Sequence, residues 1–162
     1  MKLLIVGAGG YGCLVREIAE LVGFDKVDFL DDNSSFAIGK VDNLEELENS
    51  YDGTIIAIGD PKIREGIFRR LKKPMSLIHP TAMVSKSAQI GNGCVIEAKA
   101  VISSGVEIGD SVFVCAGAVV NHNSSVSDFC QIDCNSVVLA GIDVPKGYKV
   151  ESCSVFSKTE MD

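Results

Sequence analysis

From Ile78 onward a branched apolar residue returns at every sixth position: Ile78, Val84, Ile90, Ile96, Ile102, Ile108, Val114, Val120, Val126, Ile132, Val138, Val144 and Val150, with Phe156 closing the series. The fourteen positions stay in phase without an insertion. Six is not a multiple of 3.6, so no α-helix keeps them on one side. A hairpin strand alternates every second residue and loses phase at its turns. A solenoid satisfies the pattern: each hexad is a short strand and a corner, and three hexads make one coil. Two positions before the branched residue the side chain is usually small (Ala82, Ala88, Cys94, Ala100, Ala118, Ser124, Cys130, Ser136), which lets the corner close. Gly91 and Gly109 follow their isoleucines directly. Stacked coils pair backbone to backbone about 4.8 Å apart. Fourteen inward side chains at roughly 1.5–3 kcal/mol each supply a core in a chain that has no Trp.

Residues 1–77 read differently, and the chain divides into 1–77 and 78–162. Lys2–Val6 is a short apolar run leading into Gly7-Ala8-Gly9-Gly10-Tyr11-Gly12. Leu14, Ile18, Leu21 and Val22 then share a helical face that Gly23 stops. Val27–Leu30 reads as a strand ending in Asp31-Asp32, Leu44 and Leu47 mark a short helix, and Thr54–Ile58 is a strand closed by Gly59-Asp60-Pro61. Arg64–Lys73 reads as a helix ended by Pro74. Strand and helix alternating at these lengths predict an α/β, Rossmann-like domain with a parallel sheet.

The composition excludes several classes. With 15 Lys plus Arg against 22 Asp plus Glu the formal charge is −7, which disfavours nucleic acid and anionic membranes as partners. Apolar content of 46% with 23% charged residues is that of a folded chain. No apolar run reaches the roughly 20 residues of a membrane span. The start does not read as a signal peptide, so a cytoplasmic protein with reduced thiols is expected. The six cysteines show no CxxC pair, and the chain has only His79 and His122. No metal is therefore expected, and the cysteines read as small buried residues. Cys94 and Cys130 lie two coils apart, beyond disulfide reach.

Gly7, Gly9 and Gly12, with Gly10 between them, satisfy G-x-G-x-x-G between a strand and a helix, where backbone N–H groups meet phosphate. Asp31 follows Gly12 at about the distance, roughly 20 residues, at which a dinucleotide fold places its ribose-binding acid. Residues 1–77 hold only half of such a fold, so a mononucleotide or nucleotide sugar fits better than NAD. An oxidoreductase also lacks a substrate domain. His122, two positions after the corner Val120, is a candidate base, since imidazole titrates near neutral pH.

The running order Gly7–Gly12, Phe29-Leu30-Asp31-Asp32, Ile58-Gly59-Asp60 with Arg64, then Ile78-His79-Pro80-Thr81-Ala82 leading into hexads resembles the bacterial acetyltransferases that join a Rossmann-like domain to a left-handed β-helix. Members N-acetylate UDP-4-amino-sugars or O-acetylate sialic acid and related sugars. The resemblance implies an acetyl-CoA-dependent homotrimer, with acetyl-CoA between neighbouring β-helices and the nucleotide sugar on the N-terminal domain. It assigns Gly7, Gly9, Gly10, Gly12, Asp31, Asp32, Gly59 and Arg64 to the sugar-nucleotide pocket and His122 to general-base catalysis, with Asn123 beside it. It implies that Gln131, Ala140 and Gly141 meet acetyl-CoA, the N–H near Ala140 polarising the thioester carbonyl. His79 is implied to be a structural hinge. Two histidines cannot build the three-histidine zinc site of β-helical carbonic anhydrases.

Family members often have a carboxylate where this chain has Asn123, and a second histidine where it has Gln131. Relatives usually carry further coils, whereas Ser157–Asp162 is polar and out of phase, which predicts a short cofactor groove. These departures support an alternative: a non-catalytic nucleotide-sugar-binding trimer with a regulatory or structural role.

Overall fold

The computed structural model describes residues 1–157; the reading of 158–162 lies outside the described residues. The chain starts in a parallel three-stranded sheet of β1 (Lys2–Val6), β2 (Lys26–Leu30) and β3 (Gly53–Ile56), with β1 in the middle. A central parallel strand is covered on both faces, which is why Leu3–Val6 is uninterrupted in apolar residues. Leu3 and Ile5 face helix α1 (Gly10–Leu21), whereas Leu4 and Val6 face the side of α2 (Leu44–Leu47) and α3 (Pro61–Phe68).

Two helices differ from the sequence reading. The buried stripe of α1 is Gly12, Val15, Ile18 and Ala19, while Leu14 and Leu21 stand in the open. Helix α3 starts at Pro61 because Asp60 is its N-cap, accepting from the N–H of Lys62 and Ile63 at 2.8 and 2.9 Å. It ends early because the buried carboxylate of Glu48 takes the N–H groups of Lys72 and Lys73, holding them out of a helix.

The rest of the described chain is the expected parallel β-helix of hexapeptide repeats. Its two-residue strands stack into three sheets of five, five and four strands, each strand paired with the one three hexads away. The first face carries the strands from Leu77–Ile78 to Lys149–Val150, the second those from Met83–Val84 to Val155–Phe156, and the third those from Gln89–Ile90 to Asp143–Val144. From Ile96 to Phe156 every sixth residue is buried in one core, closed at the end by Tyr148 against Phe156 at 5.0 Å. Val84 and Ile90 are half-buried against that core, and Ile78 is 38% exposed, because the first coil has no rung beneath it. Eleven rather than fourteen of the periodic side chains are thus fully interior. Cys94 and Cys130 also lie inside, where burial pushes both thiols up to about 11.

The two halves share a core. The outward residues Leu77, Val95 and Phe113 of the first face pack with Leu3, Ile5, Val15 and Ile18. Helix α1 therefore lies on the first face and leaves the second and third faces bare.

Candidate active site

In the glycine-rich turn, two glycines are required by packing. Gly7 has φ +107°, and an added Cβ would stand 2.8 Å from the Ala57 carbonyl oxygen; one on Gly12 would stand 2.1 Å from that of Gly7. Gly9, Gly10 and Gly59 differ, since a Cβ on any of them meets nothing within 4 Å. Gly9 is the N-cap of α1 and offers no side-chain acceptor, so the first-turn N–H groups open towards free space, as an anion site needs. Asp31 braces this turn: it accepts from Ala8 N–H at 2.8 Å, Asn33 N–H at 2.8 Å and Ser34 N–H at 3.0 Å. These bonds, that from Ala8 foremost, hold its carboxyl below the ordinary carboxylate range. Asp32 accepts from Val41 N–H at 3.0 Å. Both acids are engaged by backbone.

Arg64 is not a wall of this pocket. It is 0% exposed, and its five N–H groups go to five carbonyl oxygens: Nε to Ser111, Nη1 to Ile58 and Gly59, Nη2 to Phe129 and Cys130. Its guanidinium lies 4.2 Å from the Phe113 ring centroid. Arg64 is an internal tie between α3, the β3 loop and the coil, with no donor left for a ligand. The wall expected of it is instead made by Tyr11, Gly59, Phe113 and Gln131, which line a cleft between α1 and the first face. Gln131 thus stands on the side of the glycine-rich turn, away from His122 in the same chain.

His122 occupies the corner between the second and third faces, after the strand Val119–Val120 and before Ser125–Val126. In a triangular prism that corner is opposite the first face. The side chain is exposed. Its backbone N–H is held by Asn121 Oδ1 at 2.8 Å, and its ring Nδ1 lies 3.4 Å from Asn123 Nδ2. Asn123 takes φ +57°, which asparagine tolerates better than most residues, and stands over Gly105, where a Cβ would come 2.5 Å from Asn123 Oδ1. With Nδ2 towards the ring, Nδ1 is the acceptor. Turning the amide over brings Oδ1 there instead, which accepts from Nδ1–H and leaves Nε2 as the free base.

One coil above, Gly141 donates its N–H to the His122 carbonyl at 3.1 Å, so that amide is spent. The neighbouring Ala140 is exposed, and its N–H has no partner among the described residues. Of the two, only Ala140 can offer a backbone donor beside His122. His79 accepts at Nδ1 from Thr81 N–H at 3.1 Å and pairs through its own N–H with Ile96, as a structural corner residue does.

Residues 2–71 match the PglD N-terminal domain, and residues 87–122 match the bacterial transferase hexapeptide of six repeats. The structure superposes on the acetyltransferase domain of PglB from Neisseria gonorrhoeae with a TM-score of 0.82 and 30% identity, covering 96% of this chain and 91% of that one. The chain belongs to this family of bacterial acetyltransferases. The same Neisseria domain in complex with acetyl coenzyme A matches with a TM-score of 0.73 and 31% identity, over 95% and 86% of the two chains. A further relative is the UDP-N-acetylbacillosamine N-acetyltransferase of Bacillus subtilis, 32% identical over 111 residues. That match takes in 60% of this chain and spans about half, 51%, of that relative. The family's two parts correspond to the sheet with its helices and to the coil. Among the described residues no helix is long and apolar enough to cross a membrane.

Proposed function

We propose that the protein transfers the acetyl group of acetyl-CoA to an amino (or hydroxyl) group of a nucleotide-linked or sialic-acid-type sugar, with His122 as general base. The observation that carries this reading is the exposed imidazole of His122 with an N–H unpartnered among the described residues, that of Ala140, on the next rung. As the sugar nitrogen attacks the thioester carbon, His122 takes the proton it sheds. The oxygen, now negative, meets the Ala140 N–H, a donor already in place. The C–S bond breaks as the carbonyl re-forms, and the thiolate leaves with the proton from the imidazolium. The open turn at Gly9 and Gly10 with Gly59 receives the phosphates of the sugar nucleotide, and acetyl-CoA lies along the coil. The Bacillus N-acetyltransferase and the acetyl-CoA complex of the Neisseria domain support both ligands as classes.

One chain cannot build the whole site, because its cleft is on the first face and its imidazole on the opposite edge. The second face supports a way for copies to join. Its outward residues form an apolar ladder along the His122 edge, with Met83 and Val155 exposed and Val101, Val119 and Val137 half-buried among the described residues. The third face offers Gln89, Glu107, Ser125 and Asp143 instead. A ring of three copies buries the ladder and brings His122 of one against Gln131 and the cleft of the next.

The test measures thiol release from acetyl-CoA against a panel of UDP-amino-sugars and sialic acids. His122→Ala should lower the rate by roughly 10²–10⁴-fold and leave nucleotide-sugar binding unchanged. Full activity in that variant refutes His122 as the base. The uncharged Asn123 favours a second reading, a nucleotide-sugar-binding trimer without catalysis; calorimetry separates the two, since that trimer takes up no acetyl-CoA.

A further inference from the structure

The corner that follows the first-face strands carries His79, Glu97, Cys115, Asp133 and Glu151, one per coil, each three hexads after the last. The equivalent positions elsewhere are Ser85, Ser103, Asn121 and Leu139 after the second face, and Gly91, Gly109, Ser127 and Pro145 after the third. Groups able to hold a cation therefore collect at the one corner that α1 covers. Diagonally above Cys115 stands Cys134, which follows Asp133 on the next coil. The carboxylate of Glu97 and the sulfurs of Cys115 and Cys134 lie within 4.8 Å of one another. Glu97 and Cys115 are buried, and Cys134 is half-buried.

Three further features mark this cluster. Glu97 accepts from the Ala116 N–H at 3.0 Å and meets the Cys115 thiol, and neither brings a charge to balance a carboxylate shut away from water. The cations nearby are committed elsewhere: Arg64 to its five carbonyls, and Lys149 to Asp133 and Glu151 at 3.3 and 3.1 Å. The Tyr11 hydroxyl, on the first turn of α1, is buried beside Glu97 and Cys115, whose charges add to burial in holding it protonated, and its contact with Glu97 is too loose to make a good hydrogen bond.

We propose that Glu97, Cys115 and Cys134 bind one thiophilic divalent cation of the Zn²⁺ class, with Tyr11 closing the site from the N-terminal domain. Two thiolates and a carboxylate are a zinc donor set. In tetrahedral geometry the sulfurs stand about 3.8 Å apart, so the donors need draw together by no more than about 1 Å. Binding expels the two thiol protons and gives Glu97 its counter-charge. It leaves a fourth position beside the Tyr11 hydroxyl. Because Tyr11 follows Gly9 and Gly10 directly, an ion here fastens the glycine-rich turn to the coil and takes no part in acyl transfer.

The experiment uses the full chain with Cys13→Ser and Cys153→Ser, which removes the two thiols outside the cluster that solvent reaches. Co²⁺ is the probe. One equivalent per chain should bind, with a sulfur-to-cobalt charge-transfer band and the visible bands of tetrahedral cobalt, and Zn²⁺ should displace it and raise the thermal midpoint. Cys115→Ser and Cys134→Ala should each abolish the band, and Glu97→Gln should weaken binding at least tenfold. If Cys115→Ser does not fold, Cys134→Ala at the half-buried position decides alone. A missing charge-transfer band, a band that survives Cys134→Ala, or a Cys115–Cys134 disulfide in the freshly purified chain overturns the proposal.

Discussion

A guanidinium sealed from solvent normally needs a carboxylate, but Arg64 has only carbonyl oxygens, contributed by the β3 loop and by rungs 47 to 66 residues further on. Cutting it back leaves those oxygens shut away and unpaired, so Arg64→Met should cost about 3–5 kcal/mol, read as a lower urea midpoint with an unchanged slope. A ligand-binding arginine would lose affinity and keep its stability. The sequence offers Arg64 only as a cation near a glycine-rich loop, because acceptors so far along the chain leave no local trace. His122 is the opposite case. Counting in sixes from Val120 already puts it on an outer corner, and counting three hexads puts Ala140 above it. Which of Ala140 and Gly141 has a free N–H cannot be counted; it depends on the Gly141 bond to the His122 carbonyl.

For elements, legibility follows periodicity. The coil is readable strand by strand, since each rung obeys the same rule and stacks on a copy of itself. In the N-terminal domain one helix start is hidden because Gly59-Asp60-Pro61 reads equally as a turn closing a strand and as a capped N-terminus. The stripe on α1 misleads because Leu14 and Leu21 have the hydrophobicity of core residues but flank the true contact line through Val15 and Ile18. The cation cluster escapes the sequence for a related reason: ligands are sought two to four residues apart, whereas here whole coils separate them. Asp31 ties the turn after β1 to the end of β2 through the Ala8 N–H and holds its own loop through those of Asn33 and Ser34, so its folded-state carboxyl is the stronger acid. The resulting stabilisation is present above the ordinary carboxylate range, about pH 4, and is lost as pH falls through the lowered folded value. Asp31→Asn should therefore be less stable than the parent near pH 6, with the gap closing on acidification. Urea midpoints across that range measure it, and nucleotide-sugar affinity should weaken in parallel.

At the scale of the whole molecule, the outward apolar ladder of the second face is the surface that the copies of the proposed trimer share. Val119→Lys, or Val137→Lys, should give a folded monomer by sedimentation equilibrium, with an unchanged far-ultraviolet spectrum and no acetyl transfer despite an intact His122. The ladder is present in the sequence as Met83, Val101, Val119, Val137 and Val155, but it separates from the interior series only once inward and outward positions are told apart.

The unbroken phase also limits how such a chain can change length. Removing one hexad between the α1-covered first coils and His122 turns everything beyond the cut by a third of a revolution relative to α1, carrying the imidazole onto a different side of the prism. A loss of three hexads together restores the orientation and only shortens the stack. Viable variants in size should therefore come in whole circuits, while new side chains can be sampled one at a time at exposed corner positions such as Lys86 and Ser104 without disturbing the scaffold.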